Sequence, residues 1–222
     1  MSVKKALKLF SYLLLFTISI VFVTGCFDKK SDSTNNTDND IKINTDKEVT
    51  FGEWNDNVYT NEFLGIKYTM PEGWSKYSDE EIAEVMNIAV DDLKKKDEIK
   101  KLLDQQRGVF YVMASDSSTG NNIILLSEKP LLKDASMSLY TNSLKQQLAL
   151  NTNLIYTVEE PQEETINNFN YTTMKATTSQ NGVQIYQKYF IRKVDNNFVS
   201  VIVSSTNDNQ LDEIIKDFEK LN

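Results

Sequence analysis

The chain of 222 residues has no histidine, one cysteine, three prolines and seven glycines. Without histidine, Ser-His-Asp and Cys-His nucleophilic arrangements are excluded, and with them histidine-based zinc sites. A single cysteine permits no disulfide framework. Apart from Gly25, the glycines are Gly52, Gly65, Gly73, Gly108, Gly120 and Gly182. Their spacing is neither that of a phosphate-binding loop nor that of a dinucleotide fingerprint. Basic residues are in deficit, 24 against 32 acidic, for a net charge of −8. A chain of that sign is not expected to bind nucleic acid through its phosphates. No metal is expected either. Asp38-Asn39-Asp40 begins like a loop of oxygen ligands but lacks the glycine turn and distal glutamate of a calcium hand, and Asp208-Asn209 is no better. No cofactor is implied.

The position of the one cysteine is informative. Lys4, Lys5 and Lys8 open the chain without an acid, and Leu9 to Val23 are apolar except for Ser11, Thr17 and Ser19. A membrane-spanning helix needs about 20 apolar residues, so this run of fifteen suits the apolar region of a secretory signal peptide. Val23-Thr24-Gly25-Cys26 follows at once and resembles the lipobox of bacterial lipoproteins. That resemblance implies removal of residues 1–25 and a diacylglyceryl group (acyl chains of the palmitate kind) on the Cys26 thiol. Losing Lys4, Lys5 and Lys8 moves the net charge from −8 to −11, which gives anionic lipid no polybasic hold. Anchoring then rests on the acyl chains, at about 0.8 kcal/mol per buried CH₂. The expected location is the extracytoplasmic face of a bacterial cell membrane.

Residues 26–48 read as a disordered tether. From Asp28 to Lys47, fourteen of twenty positions are Asp, Asn, Ser or Thr, too few apolar groups to offset the entropy of ordering. Residues 49–222 read as one domain of α+β class, long enough to bury a core without disulfides.

Within that domain Val58 to Thr60 and Leu64 to Met70 suggest paired strands, followed by a turn at Pro71-Glu72-Gly73. Ser78-Asp79-Glu80-Glu81 is a capping box. It opens a helix carrying Ile82, Val85, Met86, Ala89 and Leu93 at helical spacing and reaching about Gln106, with a break near Lys95. Val109 to Ala114 and Ile123 to Leu126 flank the turn SSTGNN. A second helix carries Met137, Tyr140, Leu144 and Leu148, and Leu154 to Val158 forms a strand. Phe169 to Thr178 and Val183 to Lys193 are joined by Asn181-Gly182, a strong hairpin signal. Phe198 to Ser204 follows, then a closing helix with Leu211, Ile214, Ile215, Phe218 and Leu221 on one face. Hairpins make the sheet antiparallel, and strands apolar on both sides call for helices on both faces.

The stretch YTNEFLGIKYTMPEGW (Tyr59 to Trp74), an aromatic, a short hairpin, an apolar strand and Pro-x-x-Trp, resembles the opening of PsbP-like domains. The later order of one helix, three antiparallel strands and a closing helix is similar to that family too. The resemblance covers roughly residues 50 to 222 and implies a PsbP-like α/β/α sandwich, an adaptor domain without a common catalytic motif. It supplies no binding residue to carry over, and the charged helix from Ser78 to Gln106 departs from it.

Chemistry is therefore sought among acids and aromatics. Two carboxylates about 5–9.5 Å apart hydrolyse glycosidic bonds, and Glu159, Glu160, Glu163 and Glu164 around Pro161, in an expected loop, are the candidates. The aromatic candidates are Trp54, at the start of the domain, and one face of a strand carrying Tyr186, Lys188, Phe190 and Arg192. Left uncovered, that row would be a contact surface, since aromatics and arginine anchor interfaces. Beneath a helix it would be core with snorkelling cations. The expected function is that of a non-enzymatic, lipid-anchored binding protein with another envelope protein as partner. The alternatives are a carboxylate-dependent hydrolase of wall glycan and a small-ligand receptor.

Overall fold

A computed structural model describes residues 49–221 apart from Gln106, Leu131 and Lys133. The expected signal peptide, lipobox, Cys26 and tether lie outside the described residues.

The strands β1 (Glu53–Asn55), β2 (Val58–Asn61) and β3 (Ile66–Thr69) form an antiparallel meander. After β4 (Ser75–Lys76) come α1 (Asp79–Met86) and α2 (Lys96–Asp104). Next are β5 (Val109–Ser115), β6 (Asn122–Glu128) and α3 (Met137–Ala149). The strands β7 (Thr157–Val158), β8 (Gln162–Ile166), β9 (Phe169–Gln180), β10 (Val183–Val194) and β11 (Asn197–Ser205) follow. One turn of helix, α4 (Leu211–Ile214), leads to β12 (Phe218–Lys220).

The large sheet runs β4-β5-β6-β11-β10-β9-β7, with β8 also pairing β9, and every pairing is antiparallel. β11 lies at its centre and all nine of its residues are buried, as strands apolar on both sides require. Across the central strands Phe190, Val201 and Leu125 share one face, while Tyr189, Ile202 and Ile124 share the other. α3 covers the second face, stacking Tyr140 on Phe198 with ring centroids 4.1 Å apart. α4 covers part of the first, through Asp212 on Lys188. The expectation of helices on both faces holds.

A second, four-stranded sheet, β1-β2-β3-β12, completes the cover of the Phe190 face. Trp54 pairs with Tyr59, Tyr59 with Tyr68, and Tyr68 with Phe218, one aromatic per strand. Tyr68 and Phe218 stack at 4.5 Å. Cross-strand aromatic pairs of this kind stabilise a sheet beyond their buried area.

Four expectations need correction. The closing helix does not reach Leu221: helical structure ends at Asp217 and Phe218–Lys220 is a strand. The unpaired edge of β3 offers ladder hydrogen bonds and Tyr68 offers a stacking partner, which together outweigh helical periodicity over so few residues. The break expected near Lys95 in the helix from Ser78 to Gln106 is present, with Lys95 as the N-cap of the second helix, but it opens earlier than expected, at Asn87. The capping box is present, but Asn87 turns left-handed (φ 51°) and ends α1, and a single 3₁₀ turn at Val90–Asp92 precedes α2. The strand expected from Leu154 shrinks to Thr157–Val158, leaving Ile155 exposed. The acid-rich loop around Pro161 contains β8, an edge strand whose charged side chains discourage pairing with another chain.

Candidate functional site

The row on β10 is not an exposed surface. Phe190 is fully buried and Arg192 is 5 % exposed. Lys188 meets Glu164 at 2.9 Å and Asp212 at 2.7 Å. Burial alone would lower the Lys188 pKa, but the hydrogen bonds it donates to Asp212 and Glu164 outweigh it and the net shift is upward. Tyr186 is half-buried, with the Lys175 ammonium 5.9 Å from its ring centroid. Arg192 spans the two sheets, donating from Nη2 to the Leu64 carbonyl, and its guanidinium lies 4.6 Å from the Phe169 ring centroid. The small sheet and α4 cover this row, so it acts as core and as cross-layer tie.

The four acids do not converge. Glu163 and Glu164 are neighbours on a strand and project to opposite faces. Glu163 accepts a hydrogen bond from Thr172, while Glu164 accepts one from Thr173 and pairs with Lys188. Glu160 pairs with Lys145 on α3, and Glu159 is exposed. Sequence adjacency suggested a pair, and strand alternation separates it.

A different carboxyl sits in the least ordinary setting. Glu128 ends β6, opposite Phe198, and its Oε2 accepts a 2.5 Å hydrogen bond from the Tyr140 hydroxyl. Burial beneath α3 raises its pKa, and the Tyr140 hydrogen bond offsets part of the rise. No periodicity marks Glu128 as special: it closes an apolar run, where a solvated acid is the ordinary reading.

Trp54 remains as a candidate. The indole is half-buried at the outer end of the aromatic row, with ring centroids 5.4 Å from Tyr59 and 6.1 Å from Tyr68. The Lys76 ammonium lies 4.5 Å from its centroid, a cation–π contact that holds its side chain in place. A shallow concavity of about 470 Å³ opens beside it, lined by Glu53, Asp56, Asn57, Thr60 and Trp54 itself. Asp56 makes the turn at positive φ (53°), and Asn57 beside it donates to the Met70 carbonyl, just beyond the end of β3. Lys94 pairs with Asp79 at 2.8 Å. Its pKa is raised, first by the Asp79 hydrogen bond and charge, with a contribution from Glu53. The site is thus an aromatic anchor ringed by short polar groups and charges of both signs. Such an arrangement can hold a partner surface. It offers no nucleophile with an adjacent base, the geometry covalent catalysis needs.

The resting place of the first described residues is equally defined. Tyr59 donates to the Phe51 carbonyl at 2.7 Å, and Asn61 donates to the Thr50 carbonyl at 3.1 Å and to the Tyr59 hydroxyl at 3.0 Å. These bonds clamp residues 50–51 within one hairpin of Trp54.

No protein-family model matches this sequence, and no curated protein matches it. Among solved structures it is similar to the cyanobacterial PsbP (CyanoP) of Synechocystis sp. PCC 6803, at 9 % identity over 73 % of this chain and 91 % of that one, with a TM-score of 0.48. It is also similar to LpqN of Mycobacterium tuberculosis, described as involved in cell envelope biogenesis, at 12 % identity over 68 % and 76 % of the two chains, with a TM-score of 0.36.

Proposed function

We propose that this protein is a lipid-anchored, extracytoplasmic binding protein of the bacterial cell envelope, not an enzyme, and that it engages another envelope protein through the surface around Trp54. The observation that carries the reading is a large aromatic left partly exposed on the first hairpin, immediately after the point where the chain is clamped at Thr50 and Phe51. The lipobox-like Val23-Thr24-Gly25-Cys26 supplies the anchor, and residues 26–48 supply reach. The opposite orientation of Glu163 and Glu164 removes that pair as the dyad of a glycan hydrolase.

Two measurements test this. Cys26→Ala is expected to abolish lipid attachment and leave an unprocessed or released protein, read by metabolic fatty-acid labelling and membrane fractionation. Processing and labelling equal to wild type would overturn the anchor. Crosslinking in intact cells is then expected to trap one dominant protein partner. Trp54→Ala should reduce that product about tenfold or more, the loss typical of an interface anchor, while leaving labelling at Cys26 unchanged. An undiminished product would remove Trp54 from the interface, and absence of any protein product would overturn the adaptor reading.

A further inference from the structure

Three buried polar atoms without a hydrogen-bond partner among the described residues belong to neighbouring strands of the large sheet: the Tyr171 hydroxyl on β9, Arg192 Nε on β10 and Asn197 Oδ1 on β11. The register puts them on one face. Arg192 pairs with Val199 and Val194 with Asn197 across β10 and β11. Ile191 pairs with Thr172 across β9 and β10, and the next step of that ladder sets Tyr171 opposite Arg192. Partners across an antiparallel ladder point to the same side, and side chains two apart on a strand do so too. All three therefore lie on the side that the small sheet covers, and they are 1 %, 5 % and 8 % exposed.

The guanidinium is the unusual member. A buried arginine ordinarily faces a carboxylate, whereas Arg192 has one carbonyl, Leu64, and the ring of Phe169. Leaving such a charge unpaired costs several kcal/mol. A water molecule would satisfy the free N–H but not the charge. A small anion does both, accepting from Arg192 Nε and from the Tyr171 hydroxyl. A half-turn of the Asn197 amide, whose oxygen and nitrogen are set by their surroundings, brings a third donor. Burial also holds Tyr171 protonated, with its pKa pushed up to about 12, so the hydroxyl keeps a proton to donate. Asn197 directly follows the exposed turn Asp195-Asn196.

We infer that Tyr171, Arg192 and Asn197 form an internal binding site for a small monovalent inorganic anion of halide size, placed between the two sheets. The net charge of −8 repels anions at long range, so binding depends on the local guanidinium and resists screening by salt better than a surface site would.

Bromide is the probe. For the purified full chain, thermal unfolding in sodium bromide is expected to show a saturable rise of at least about 2 °C over sodium gluconate at equal ionic strength, as a ligand of the folded state produces. Arg192→Met should abolish the difference between the two salts, and Tyr171→Phe should reduce it. Because Arg192→Met can compromise folding, a wild-type crystal grown with bromide gives an independent reading. An anomalous peak within hydrogen-bond distance of Arg192 Nε supports the site. A water there, equal midpoints in the two salts, or a bromide effect that persists in a folded Arg192→Met variant would each overturn it.

Discussion

Gly52→Ala is expected to destabilise the domain by at least about 3 kcal/mol, in the range reserved for backbone strain combined with overpacking. Gly52 sits at φ +80°, and a methyl group there would lie 2.4 Å from the Tyr59 hydroxyl and 2.7 Å from the Thr60 carbonyl oxygen. Tyr59 cannot yield. It is fully buried, packed at a tilt against Trp54, and its hydroxyl is committed to Phe51 and Asn61. The Thr60 oxygen is backbone within a paired strand and cannot yield either. Gly65→Ala is the control. Its φ is +62° with open space around the added carbon, so it should cost only the left-handed penalty of about 1–2 kcal/mol. Urea denaturation of both variants separates the clash from the dihedral. Equal costs would mean that the clamp on Phe51 is softer than its geometry. A loss of about 3 kcal/mol lowers the melting midpoint by roughly 6–12 °C for a domain of this size.

Tyr140→Phe and Glu128→Gln should move stability in opposite directions at pH 7. Removing the Tyr140 hydroxyl strips a partly buried carboxylate of its hydrogen bond, at an expected cost of about 1.5–3 kcal/mol for a bond to a charged group. The ring, and its stack on Phe198, remains. In acid, where Glu128 is neutral, the same substitution should cost less, about 0.5–1.5 kcal/mol. Glu128→Gln removes the charge and keeps an acceptor for Tyr140. The sign follows from the raised pKa of Glu128. The folded state holds this proton more tightly than the unfolded chain, so its contribution is fully present below the unfolded value and lost as pH rises through the folded one. The glutamine variant should therefore exceed wild type at pH 7 and match it below about pH 4. Tyr140→Phe should raise the Glu128 titration further, because the lost bond had been lowering it; the carboxyl carbon shift in an NMR titration reports this directly. A glutamine variant less stable than wild type at pH 7 would show that the carboxylate has a partner beyond Tyr140.

The elements most legible in the sequence were those with local causes. Ser78 and Glu81 cap α1, Asn181-Gly182 turns β9 into β10, and the doubly apolar Phe198 to Ser204 lies at the centre of the sheet. What the sequence did not display depends on distant partners. Phe218 fits a helical stripe with Leu211, Ile214 and Ile215, and only the free edge of β3, some 150 residues earlier, turns it into a strand. β8 reads as an acidic loop because the threonines that hold Glu163 and Glu164 belong to β9. The row on β10 could be read as surface or core, and the choice rests with the small sheet that covers it. Trp54 was identified as a candidate from its type and place. Glu128 was not, since nothing local distinguishes an acid at the end of a strand from a solvated one.

The pairing of β12 with β3 also bears on how the molecule reaches its destination. Lys67 and Glu219 lie 152 residues apart and meet at 3.0 Å, so the small sheet gains its fourth strand only after nearly the whole chain is available. Contacts this distant in sequence form slowly, because the loop must close before the contact contributes anything. A chain threaded amino end first through a secretion channel would carry β1, β2 and β3 across with their outer edge unpaired and the stacking partner of Tyr68 missing. For a chain exported as proposed above, this topology would put off completion of the small sheet until β12 had crossed.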